Sequence, residues 1–167
     1  MADTKKNLQE AFAGESQASQ RYIAFSRKAG QEGHNQVAKL FRAAAMSEKI
    51  HAQNHLRAAK LIGSTLENLK AAAEGEADEF NSMYPEFIET ARAEGEEQAR
   101  NSFDMACRVE QIHHELYSAA IETIENGESV DEEDIYLCPV CGNTIAGDAP
   151  GKCPICATPS EKFELVQ

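Results

Sequence analysis

Two short segments pair a glutamate with a histidine three residues later: "EKIH" at 48–51 and "EQIH" at 110–113. A helix of about 3.6 residues per turn carries both members of such a pair on one face. Carboxylate oxygens bind hard divalent cations, and neutral imidazole adds a nitrogen ligand suited to iron. The second segment, "VEQIHHELY" at 109–117, leaves an ambiguity, because His113 and His114 both share a face with Glu110. A second concentration of chemistry lies in "CPVC" (Cys138, Cys141) and "CPIC" (Cys153, Cys156). Four thiolates at this spacing can surround one metal tetrahedrally, as either zinc or iron prefers. Cys107 stands apart and reads as a buried structural thiol.

The elements that must position the glutamates and histidines are helices. Residues 3 to about 126 are rich in Ala, Glu, Gln, Lys and Leu and poor in β-branched runs. The pattern predicts helices near 3–30, 34–60, 65–93 and 96–126, separated by "GQEG", "LIGS" and "AEGE" and closed by "NGES". "STLE" at 64–67 predicts a capping box at the start of the third. Sliding the chain by 62 residues superposes Tyr22 on Tyr84, Phe25 on Phe87, Phe41 on Phe103 and "EKIH" on "EQIH". Eleven of thirty positions match between 22 and 51, which identifies two related helical hairpins. The same shift puts His113 on His51 and His114 on Ala52, so the repeat selects His113 as the ligand.

Each predicted helix then carries glutamate near its midpoint: Glu15, Glu48 with His51, Glu76 with Glu79, and Glu110 with His113. One glutamate from each of two helices, plus Glu-x-x-His from the other two, is a known way for a bundle to hold two iron or manganese ions. Bridging carboxylates offset the repulsion between two cations in a low-dielectric core. Glu10, Glu74 and Glu86 read as solvated. Tyr22 and Tyr84 follow Glu15 and Glu76 by seven and eight residues, two turns along the same side. Their hydroxyls are expected to bond to ligating carboxylates.

After Asn126 the composition changes. "GESVDEEDI" reads as an acidic linker, and the segment from Tyr136 onward holds all but one of the five prolines and four of the five cysteines. About 30 residues bury too little to fold without a metal. The expected organisation is a helical bundle over 1–128, a linker over 129–136 and a metal module over 137–167. A formal charge of −12 excludes phosphate backbones and anionic membranes as partners. No apolar run reaches the roughly 20 residues of a membrane span, and no secretory leader pattern opens the chain, so a cytoplasmic protein is expected. Beside a redox di-metal site, iron rather than zinc is expected in the four-cysteine module.

These motifs together resemble rubrerythrins, proteins with a ferritin-like four-helix bundle followed by a rubredoxin-like Fe(Cys)₄ module. The resemblance rests on "AFAGESQASQRY" (11–22), "SEKIH" (47–51), "GEADEFNSMYPEF" (75–87), "VEQIH" (109–113), both knuckles and "EKFELV" (161–166). It implies reduction of hydrogen peroxide to water at a di-iron site held by Glu15, Glu48, His51, Glu76, Glu79, Glu110 and His113. It implies re-reduction through the Fe(Cys)₄ centre, fed by a rubredoxin or an NAD(P)H-dependent reductase. It also implies a redox-linked exchange of Glu79 for His51 at one iron, with Tyr22 and Tyr84 nearby. A ferroxidase of ferritin type is the alternative. One feature departs from members with a long crossover: only 25 residues separate His51 from Glu76. A return along the bundle of ~45 Å needs ~13 extended residues, more than the two half-helices leave. The chain therefore forms either a simple up-down bundle or, as the resemblance favours, a homodimer that exchanges hairpins. In such a dimer one chain's Fe(Cys)₄ centre is expected to lie nearer its partner's di-iron site than its own.

Overall fold

A computed structural model describes residues 3–167. Five helices, α1 (Thr4–Gln31), α2 (Asn35–Ala58), α3 (Thr65–Asp78), α4 (Tyr84–Glu94) and α5 (Glu97–Glu125), precede three short strands. The expected four helices are present within a residue or two at each end, but the third is interrupted by a π-helical turn, Glu79–Met83, that divides it into α3 and α4. The predicted capping box is formed: Ser64 Oγ accepts from the Glu67 N–H, and Glu67 Oε2 accepts from the Ser64 N–H at 2.7 Å. Gly95 ends α4 at φ +75°, a left-handed conformation that turns the chain into α5.

The chain divides into two compact units, Met1–Gly63 and Ser64–Gln167. The first is the hairpin α1–α2. Ala38, Ala45 and Ala52 are buried at seven-residue intervals on α2, and Ser19 and Ser26 are buried at the same interval on α1. Small side chains at this repeat let two backbones approach closely. The approach is close enough for the Ser19 hydroxyl to donate to Ala45 O (2.9 Å) and the Ser26 hydroxyl to Ala38 O (2.8 Å). Tyr22, Phe25 and Phe41 cluster with ring centroids 5.5–6.2 Å apart.

The second unit repeats the plan, with α3, the π turn and α4 packed on α5. Tyr84, Phe87 and Phe103 form the matching trio at 5.5–6.3 Å. The repeat read from sequence is thus a repeat of packing. Residues 128–134 carry no helix or strand, and β1 (Ile135–Leu137) then pairs antiparallel with both β2 (Thr144–Ala146) and β3 (Glu164–Leu165). The cysteine module packs against α5, where Arg108 and His113 both bond to it. Among the described residues no helix is long and apolar enough to cross a membrane.

Candidate metal centres

On the first hairpin, α1 supplies Glu15 and α2 supplies Glu48 and His51, each offering a ligand atom within 4.8 Å of the others. His51 Nδ1 lies 2.8 Å from Glu48 Oε2 and 3.9 Å from Glu15 Oε1. On the second, Glu76 of α3 meets Glu110 and His113 of α5 in the same way. His113 Nδ1 lies 2.8 Å from Glu110 Oε2 and 3.7 Å from Glu76 Oε1. In both clusters Nδ1 is the nitrogen that faces the carboxylates. Nε2 turns outward, toward Ser47 Oγ (3.5 Å) in one and Thr144 Oγ1 (3.0 Å) in the other. A histidine that binds metal through one nitrogen and hydrogen-bonds through the other has its orientation and tautomer fixed.

The second cluster is the more enclosed, its His113 side chain 24% exposed against 50% for His51. Burial raises the Glu76 carboxyl above its ordinary range, and the charge of Glu110 raises it further. Glu79 is also raised, by burial first and then by Glu76 and Asp78. A bound cation relieves such crowding of like charges.

Glu79 sits on the π turn and does not join the three-residue cluster. The expected hydrogen bonds from Tyr22 and Tyr84 to ligating carboxylates are not formed among the described residues. Tyr84 nevertheless lies in their field: burial raises its phenol, and the charges of Glu79, Glu110 and Glu76 add to the effect. His114, which the sequence left without a role, ties α5 to α3. Its Nδ1–H donates to Ala73 O at 2.9 Å, and its ring packs on Phe80.

The cysteine module gathers all four thiols. The Cys138 and Cys156 sulfurs are 3.6 Å apart and those of Cys141 and Cys153 are 3.5 Å apart. A tetrahedral ion with metal–sulfur bonds of about 2.3 Å needs sulfurs about 3.8 Å apart, so the cage fits with little movement. The two knuckles share one backbone plan. Gly142 N–H donates to Cys138 O and Ala157 N–H to Cys153 O, with Gly142 at φ +82° and Ala157 at φ +60°. Burial pushes the Cys156 thiol up, but hydrogen bonds from Thr158 and the neighbouring thiols outweigh it and bring it to about 6. Cys107, by contrast, is half-buried rather than buried as expected, and its thiol donates to Phe80 O at 3.6 Å.

With this geometry established, comparison with known proteins is decisive. The Rubrerythrin family matches residues 6–121, and the rubrerythrin rubredoxin-like domain matches residues 136–164. The chain belongs to the rubrerythrin family. It is 40% identical to a rubrerythrin of Porphyromonas gingivalis, over 96% of this chain and 88% of that one. It is 34% identical to Rubrerythrin-2 of Clostridium acetobutylicum, over 98% of this chain and 96% of that one. A solved structure of nigerythrin in its fully reduced, all-ferrous state aligns with a TM-score of 0.60 at 34% identity, covering 99% of this chain and 88% of that one. This rubrerythrin-family protein is thus mainly α, of the ferritin-like class, with a rubredoxin-like module. Each carboxylate–histidine cluster offers the kind of ligands that a di-iron site of this family uses, and the four thiols suit an Fe(Cys)₄ centre. Spacing had identified every member of these clusters. It gave no sign of Thr144 or Arg108, which reach the site only through tertiary packing, or of Thr158, which bonds to Cys156 from two residues along the chain.

Proposed function

We propose that the protein reduces hydrogen peroxide to water in defence against oxidative stress. Electrons enter one at a time through the Fe(Cys)₄ centre from a rubredoxin or an NAD(P)H-dependent reductase. The observation that carries this reading is the join between the two kinds of site: His113, beside Glu76 and Glu110, bonds to Thr144, three residues after Cys141. Iron storage has no use for a one-electron centre at that position, which weighs against the ferroxidase alternative. When bound, paired ferrous iron supplies the two electrons that peroxide, with two protons, consumes in forming two waters.

The residues around that iron have separate tasks. Glu15, Glu48, Glu76 and Glu110 would hold it, with His51 and His113 turning Nδ1 toward it. Tyr84 keeps its proton at Oη, because the surrounding carboxylates and burial disfavour the phenolate. It therefore stands as a hydrogen-bond donor toward oxygen atoms beside Glu79 and Glu110, and Tyr22 occupies the corresponding place on the first hairpin. Glu79, outside the three-residue cluster and on a wide turn, is the carboxylate free to exchange with His51.

A homodimer with exchanged hairpins belongs to the same proposal. Only residues 59–64 connect α2 to α3. That is too few for the ~13-residue return that a crossover requires, although an up-down bundle remains open to the chain. Leu40, Met46 and Ile50, 57–69% exposed on α2, supply apolar surface for a second copy to cover. A cytoplasmic setting suits thiols that must stay reduced.

The test uses iron-loaded protein, reduced without oxygen and given stoichiometric peroxide while iron oxidation is followed at both centres. Prompt oxidation of both supports the reading. Reduced iron that persists after peroxide addition would end it.

A further inference from the structure

Charge is unevenly shared along the chain. Residues 1–63 carry ten Lys and Arg against five Asp and Glu, whereas residues 64–167 carry six against 23. The five carboxylates of the first hairpin are all engaged. Asp3 caps α1 by accepting from the Lys5 N–H, Glu10 pairs with Lys6 and Glu32 with Lys28, and Glu15 and Glu48 face His51. Among the described residues, none forms an ion pair with Arg27, Arg42 or Lys49, three exposed cations that stand around one groove between α1 and α2. Ile23, Ala45 and Met46 give that groove an apolar lining, and Met46 is 69% exposed. At the rim, Arg42 Nη1 donates to the Ser26 hydroxyl at 3.2 Å, a neutral partner that leaves its charge uncompensated.

The groove faces away from the metal cluster. At about 100° per residue, Arg42, Met46 and Lys49 lie roughly 100–160° around α2 from Glu48, and Ile23 and Arg27 roughly 80–120° around α1 from Glu15. A bundle closed over Glu15, Glu48 and His51 therefore leaves the groove open. Its chemical complement is residues 128–134, which hold Glu128, Asp131, Glu132, Glu133 and Asp134, no Lys or Arg, and Val130 at 51% exposure. The segment has no helix or strand, and among the described residues Asp134 alone of its carboxylates has a side-chain partner, the Tyr136 hydroxyl at 3.3 Å. Seven extended residues span about 23 Å. That exceeds the roughly 17 Å that α1 rises between Ser19 and Gly30, the two ends of the groove.

We propose that the α1–α2 groove docks the acidic 128–134 segment of a second copy of this chain. The carboxylates meet Arg27, Arg42 and Lys49, and Val130 enters the apolar lining beside Met46. Each copy carries both surfaces, so a two-fold pair makes the contact twice, groove to segment and segment to groove. Contact of like with like is disfavoured, since groove on groove gathers only cations and segment on segment only carboxylates. Single exposed ion pairs contribute little. Here several charges of one sign meet several of the other around apolar side chains, which gives the contact its specificity. It also makes the contact sensitive to salt, because the Debye length falls from about 30 Å at 0.01 M to about 3 Å at 1 M. Neither peroxide chemistry nor exchanged hairpins is required for it.

The experiment follows full-length iron-loaded protein by sedimentation velocity in about 0.02 M and about 0.5 M NaCl. Two charge-reversed variants accompany the wild type, Arg27→Glu with Lys49→Glu in the groove and Glu132→Lys with Glu133→Lys in the segment. All four positions are exposed, and circular dichroism with iron analysis checks that each variant keeps its fold. Wild type is expected to form an assembly at low salt that high salt dissolves. Each variant alone should associate about tenfold or more weakly, since its own groove and segment now carry the same sign. An equimolar mixture of the two variants should regain the assembly, because reversed groove then meets reversed segment while native groove meets native segment. Recovery on mixing is specific to a contact between copies. A wild type without salt-dependent assembly, variants that associate as wild type does, or a mixture that associates no better than its components overturns the docking.

Discussion

His113 and His114 are adjacent in sequence, yet one faces carboxylates and the other a backbone carbonyl. The internal repeat was enough to separate them, because only His113 has a histidine counterpart. What His114 does was not legible, since its partner, Ala73 O, is 41 residues away and is a main-chain atom with no sequence signature. The expectation for mutation changes accordingly. His113→Ala should lower iron content and peroxide turnover with little loss of fold. His114→Ala should keep the iron but cost about 0.5–1.5 kcal/mol, because it removes a hydrogen bond that joins α5 to α3. Iron analysis together with urea unfolding of the two variants separates these effects. Ala157 offers a second residue-scale test. It adopts φ +60° where the matching position in the other knuckle is Gly142 at φ +82°, and a left-handed alanine carries about 1–2 kcal/mol of strain. Ala157→Gly, after the entropic cost of glycine, should stabilise the metal-loaded module by up to about 1 kcal/mol. Gly142→Ala should destabilise it comparably, since an added Cβ meets no atom within 4 Å and conformational strain is the whole effect. Resistance to a chelator measures both.

At the scale of elements, the seven-residue step from Glu15 to Tyr22 against the eight-residue step from Glu76 to Tyr84 already contained the π turn. The repeat has a shift of 61 residues at "GE" (14–15 and 75–76) and 62 from Tyr22 onward. One inserted residue in an α-helix is what a π turn absorbs. The insertion falls at 79–83 and carries Glu79, the one predicted ligand with no counterpart in the first hairpin. Periodicity alone could not reveal it, because composition through "EADEFNSMYPEF" remains helical. The turn disturbs the hydrogen-bond ladder in a specific way. Tyr84 N–H bonds to Glu79 O, and Pro85 has no N–H to offer the next carbonyl, that of Phe80. Cys107 fills the gap from α5, and Asn81 Nδ2 covers Ala77 O at 2.8 Å. Cys107→Ala should therefore destabilise the second hairpin by about 1 kcal/mol through an unpaired carbonyl, while Cys107→Ser, which keeps a donor, should cost less. Denaturant midpoints of the iron-loaded proteins give the comparison.

For the whole molecule, the decisive quantity is the length of the connection between hairpins, residues 59–64. The members of both carboxylate–histidine clusters and of the thiol cage were legible from spacing and repeat, but which copies of the two hairpins share a di-iron centre was not. Residue patterns are the same whether the hairpins of one chain or of two chains meet. Complementation distinguishes them. His51→Ala disables the first hairpin and His113→Ala the second. In a dimer that exchanges hairpins, a mixed dimer of these variants has one site with both defects and one with none. Each mixed dimer should then regain about half of wild-type peroxide turnover, since one of its two sites is fully restored. In an unexchanged dimer, every site retains a single lost histidine and mixing restores nothing. Unfolding the two variants together, refolding them with iron and isolating the mixed species by differential tags provides the measurement.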